Sequence, residues 1–139
     1  MKVTGWLFVI LFSLTWLIPQ AQTTDHRTTT TGPEIKFEQT EFNFGTINQG
    51  EKAEFEFVFT NVGQEPLVIT SATGSCGCTV PEWPKEPIRK GEKGRIKVRF
   101  DSSGRQGMQS KTVTIYSNAQ TNPVVLHVKG NVMVPPASR

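Results

Sequence analysis

Ala53, Phe55, Phe57 and Phe59 alternate with Glu54, Glu56 and Val58. A strict period of two belongs to a β-strand with one buried face and one wet face. Each phenylalanine side chain buries well over about 100 Å², so this stretch demands a core on one side and water on the other. The rest of the chain must supply that core.

It does so with more strands. Glu34 to Phe37 and Phe42 to Ile47 read as one opening strand broken by a kink, with Phe42, Phe44 and Ile47 as apolar anchors and Gly45 where a bend is cheap. Gln49-Gly50 and Asn61-Val62-Gly63 are turn signals on either side of the phenylalanine strand. Leu67 to Ser71 forms a third strand after Pro66. Pro81, Pro84 and Pro87 make the next stretch a loop or at best an edge segment, with Ile88 as its aliphatic anchor. Arg95 to Phe100, Lys111 to Tyr116, and Val124 to Gly130 extending toward Val134 complete the set, separated by Ser102-Ser103-Gly104 and Asn122-Pro123. Val, Ile, Thr and Phe dominate this region, which favours strands over helices. Short strands at regular spacing over about 100 residues predict an all-β, immunoglobulin-like antiparallel sandwich of about seven strands, spanning residues 34–134.

The ends read differently. Lys2, the apolar run Trp6 to Ile18 and the small residue Ala21 have the layout of a secretory signal peptide over residues 1–22. The run is short of the roughly 20 residues needed to span a bilayer. Membrane attachment is therefore expected only through an uncleaved signal. Residues 23–33, rich in threonine, have almost no apolar side chain and read as a flexible linker; residues 135–139 read as a short tail. The expected location is outside the cytoplasm, periplasmic or secreted. The net charge of +3 calls for no anionic partner.

A set of motifs runs through the strands. It comprises Phe42-x-Phe44-Gly45-x-Ile47-x-x-Gly50, Phe57-x-Phe59-x-Asn61-x-Gly63-x-x-Pro66-Leu67, Ser75-Cys76-Gly77-Cys78-Thr79, Pro87-Ile88-x-x-Gly91, Lys111 through Ser117-Asn118, and Leu126-x-Val128-x-Gly130-x-Val132. Together they resemble the bacterial domain of unknown function 1573 family, which is similar to the immunoglobulin-like group containing major sperm protein and Hydin-type domains. Lys90 stands where that family resemblance leads one to expect proline, and Met108 where an aromatic is common. The resemblance implies an exported sandwich and carries no catalytic residue with it.

Cys76 and Cys78 are the chain's two cysteines. In an oxidising compartment they suggest a local disulfide, although residues two apart on a regular strand sit too far apart for a relaxed bridge. Gly77 is expected to let the chain tighten between them. Two packed thiols, a thiol-redox pair and a Cu(I) site on two thiolates are the other readings. Zinc would need further ligands, and the domain offers only His127, expected on the wet side of its strand. Trp83, with Gly77 and Thr79, outlines a possible partner-binding loop. Arg95, Lys97 and Arg99 form a possible basic face, which Glu54 and Glu56 on a neighbouring strand should neutralise; no aromatic interleaves it as nucleic-acid binding would want. No nucleophile and base stand at a recognisable spacing. No cofactor or metal and no nucleic-acid partner is expected. The chain reads as a non-catalytic interaction or structural module for an unidentified protein or envelope partner, with thiol-redox or copper handling as the alternative.

Overall fold

The computed structural model describes residues 31–136. The stretch read as a signal peptide, nearly all of the stretch read as a linker and the last three residues lie outside the described residues. Eight strands follow in order: β1 (Ile35–Phe37), β2 (Glu41–Asn48), β3 (Lys52–Asn61), β4 (Ile69–Gly74), β5 (Thr79–Glu82), β6 (Lys93–Asp101), β7 (Gly107–Ser117) and β8 (Val124–Met133). They form two four-stranded sheets, β1-β3-β6-β5 and β2-β8-β7-β4, packed as an immunoglobulin-like sandwich.

The count exceeds seven because the opening strand divides. β1 pairs antiparallel with β3 in one sheet, and β2 pairs parallel with β8 in the other. Two backbone bonds make the transfer: the Glu38 N–H donates to the Val58 carbonyl at 3.0 Å, and the His127 N–H donates to the Thr40 carbonyl at 2.7 Å. What reads as a kink is a change of sheet. The third strand begins at Ile69. Leu67 instead forms an isolated bridge with Ile88, with bonds of 2.9 and 2.8 Å in the two directions. Gly32 and Pro33, which the sequence places in the tether, accept bonds from Gln64 and Gln120 at 3.0 Å each and so belong to the ordered domain.

Between the sheets lie Phe57, Phe59 and Phe100, each fully buried, with Ile96, Leu126 and Val128. Phe55 stays half-buried because β1 reaches only Phe59 to Asn61 of β3. Its ring is covered instead by Phe42, stacked at 4.2 Å. Gly94 and Gly130 make room for rings: a Cβ at either would overlap Phe59 or Phe44. Two buried polar side chains tie loops to this core. Asn61 braces the β3–β4 connection and Ser102 the β2–β3 turn.

Candidate functional site

The cysteines sit in the turn between β4 and β5, the last strands of their sheets on one side of the sandwich. Ser75 anchors the start of the turn to β7. Its N–H donates to the Thr112 carbonyl at 2.8 Å and its hydroxyl accepts from the Thr112 N–H at 3.1 Å. The Thr79 N–H closes the turn onto the Cys76 carbonyl at 3.2 Å, and the Asp101 N–H holds the Cys78 carbonyl at 2.8 Å. The sulfurs are joined, with the α-carbons 5.2 Å apart, closer than the roughly 6.6 Å that two strand residues span. Both cysteines are half-buried. The hydroxyl of Thr79 lies 3.6 Å from the sulfur of Cys76 and 3.8 Å from that of Cys78.

Gly77 does not carry the conformational demand expected of it. Its φ is outside the left-handed region, and a Cβ there would meet nothing. The demand falls on Gly74, where a Cβ would overlap the Thr79 carbonyl oxygen as the two edge strands close on each other.

The residues expected to form one partner loop are separated. Thr79 is 3% exposed and faces the core. Trp83 lies five residues beyond Cys78, about 16 Å away at strand spacing. Its ring is half-buried against the core, and the Lys85 ammonium sits 3.2 Å above it. Only Gly77 of the three is exposed beside the disulfide.

Arg95, Lys97 and Arg99 do share the outer face of β6, and β3 answers them. Glu54 stands opposite Arg99 and Glu56 opposite Lys97. The carboxylate of Glu54 reaches Arg99 at 3.1 Å and Lys97 at 3.3 Å, while Glu56 reaches Arg95 at 3.7 Å and Glu82 reaches Arg99 at 3.4 Å. Lys52–Asp101 and Lys93–Glu38 extend the ladder. Hydrogen bonds from the Ser103 hydroxyl and N–H hold the Asp101 carboxyl below its ordinary range, with the charges of Lys52 and Arg99 adding to the effect. The outer face of this sheet is closed upon itself electrostatically.

The opposite sheet presents a different surface, which the sequence reading missed. The outward positions of β7 are Met108, Ser110, Thr112, Thr114 and Tyr116, none of them charged. β8 sets His127 opposite Thr112 and Val125 opposite Thr114. Among the described residues the one ion pair on this face is Glu41–Lys129, at 2.6 Å. Met108, Tyr116, Val125 and Met133 are 78%, 43%, 40% and 51% exposed. The signal was available in the alternate residues of Met108 to Tyr116, where hydroxyls stand in place of charges.

Among the described residues, no group of three or more His, Cys, Asp and Glu side chains is placed to hold a metal ion. The family model described as "Protein of unknown function (DUF1573)" matches residues 35–132. The chain belongs to this family. No curated protein matches this DUF1573 chain. Among solved structures, it is similar to a protein of unknown function from Porphyromonas gingivalis W83, with 19% identity and a TM-score of 0.64 over 78% of this chain and 51% of that one. The ASH/PapD-like domain 7 of human CEP192 is 10% identical with a TM-score of 0.58, over 90% of this chain and 99% of that domain. The secreted serine protease VesC of Vibrio cholerae is 10% identical with a TM-score of 0.55, over 71% of this chain and 23% of the protease. The DUF1573 chain thus spans about half of the Porphyromonas protein and about a quarter of VesC. At these identities the likeness is one of fold.

Proposed function

We propose that this DUF1573 chain is an exported, non-catalytic interaction module that binds through the outer face of the β2-β8-β7-β4 sheet. One observation carries the reading: the contrast between the two outer faces. Water-exposed sheets of soluble proteins normally carry mixed charges, and the β3–β6 face does so with internally paired ones. Apart from Lys129, which Glu41 pairs, the β7–β8 face replaces them with hydroxyls and exposed methionine, tyrosine and valine. Depletion of charge with enrichment in Tyr and Met is the composition of an interface centre. Export rests on Lys2, the apolar run and Ala21.

The test is photo-crosslinking in the native host, with the reactive side chain placed at Thr112 on one face or at Thr60 on the other. Discrete adducts from Thr112 and none from Thr60 are expected. Adducts from neither position, with the protein folded and exported, would overturn the reading.

A further inference from the structure

The neutral face has a chemistry that narrows its occupant. Threonine and serine hydroxyls both donate and accept hydrogen bonds, and the Asn131 side chain does the same with separate atoms. A surface made of such groups is complementary to itself, so each buried donor can meet an acceptor on an identical surface. A charged partner would instead be left without counter-charges, because Glu41 and Lys129 already neutralise one another. Two copies of the face meet without like-charge repulsion. The β3–β6 face has no such option, since burying it would strip water from a whole ladder of ion pairs.

The dimensions are adequate. Strands about 4.8 Å apart, with β7 and β8 running about 26 Å from Met108 to Tyr116 and the shorter β2 and β4 flanking opposite parts of them, give a flat area of about 440 Å² per copy. Two copies bury about 900 Å² before side-chain relief is counted, the size of a weak, transient contact. The exposed apolar residues lie at the two ends, with Tyr116 beside Val125 at one and Met108 near Met133 at the other. A two-fold axis across the strands lays the Tyr116 end of one copy over the Met133 end of the other. Sulfur–aromatic contacts would then close both ends.

We propose that the outer face of the β2-β8-β7-β4 sheet is where two copies of this chain associate, face to face. The proposal rests on the interaction reading above and names its partner. At so modest an area the dimer is weak and reversible.

Sedimentation velocity of the purified, host-processed protein from about 1 µM to about 1 mM is the test, across the affinity range of weak specific complexes. The expected result is a concentration-dependent rise from monomer to dimer. Thr112→Arg sets two guanidinium groups against each other at the centre of the dimer and should weaken it at least about tenfold, since like-charge juxtaposition costs several kcal/mol. Val125→Arg tests the same face in case Thr112→Arg fails to fold, and Thr60→Arg on the other sheet should leave association unchanged. A wild-type protein that stays monomeric at about 1 mM, or a dimer that both face variants leave intact, overturns the proposal. If the monomer still crosslinks from Thr112 to another protein or a glycan, self-association fails while the interaction reading stands. If nothing crosslinks from Thr112, both fail.

Discussion

The Asn61 side chain donates to the Ile88 carbonyl at 2.9 Å from a position with no solvent exposure. The same amide donates to the Glu65 carbonyl at 2.7 Å, and its oxygen accepts from the Gly63 N–H at 3.0 Å. One side chain therefore meets four backbone groups, the fourth being the Glu34 N–H, which donates to the same oxygen at 3.4 Å. Asn61→Ala leaves the Gly63 N–H and the Glu65 carbonyl without this partner, while the Ile88 carbonyl keeps the Leu67 N–H at 2.9 Å; at about 1–3 kcal/mol for each buried group, a loss of about 2 kcal/mol is expected in urea unfolding. Asn61→Asp should be as damaging or worse, because a carboxylate has no N–H for Ile88 or Glu65.

Gly74 and Gly77 separate what looks flexible from what is tight. Gly74→Ala drives a methyl group into the Thr79 carbonyl oxygen, and overpacking of this kind costs about 1–3 kcal/mol. Gly77→Ala meets open space at an ordinary φ and should change stability by less than about 0.5 kcal/mol. Thermal melts of the two variants check the order. The reverse order would mean that Gly77 governs the cysteine turn after all.

These two positions show how far the chain could be read without coordinates. Period-two patterns are local, so Phe57 and Phe59 announced a core face, and the pairing of Glu54 with Arg99 followed from the fold they implied. The sheet change at Glu38 to Thr40 was not legible, because nothing local records that the Thr40 carbonyl will meet the His127 N–H. Gly77 drew attention by lying between the cysteines, yet the crowding at Gly74 comes from a strand that has not begun at that point in the sequence. Trp83 was grouped with the cysteines by proximity along the chain. An extended strand turns that proximity into distance.

The disulfide encloses so few residues that chain entropy assigns it only about 1.5 kcal/mol. Cys76→Ser with Cys78→Ser should therefore leave the sandwich folded, with a small fall in midpoint, because Ser75, Thr79 and Asp101 hold the turn through backbone bonds. Amide exchange at Thr79 and Asp101 reads this directly. Loss of protection across both β4 and β5 would assign the bridge a larger structural share.

Glu54 sits between Lys97 and Arg99 and is about half exposed, so each contact is screened and worth at most about 1 kcal/mol. Glu54→Gln removes the shared anion and leaves two cations side by side. A loss of roughly 1 kcal/mol is expected at low salt, shrinking as ionic strength shortens the Debye length. A salt-independent loss would instead point to packing by the glutamate stem.

Asp101 gives the pH dependence a sign. Its carboxyl is held below its ordinary value in the folded state, first by the Ser103 hydroxyl and N–H and then by Lys52 and Arg99. A depressed carboxyl favours the folded state above the unfolded value, and that contribution disappears as pH falls through the folded one. The shift is downward from a carboxyl value, so the effect is confined to acid and does not act near neutrality. Ser103→Ala deletes the hydroxyl donor but keeps the N–H, which donates at 2.9 Å. The carboxyl should then titrate closer to its ordinary value, still below it, in an NMR titration of the Asp101 side chain. An unchanged titration would transfer the effect to Lys52 and Arg99, and Lys52→Met would then be the variant that moves it.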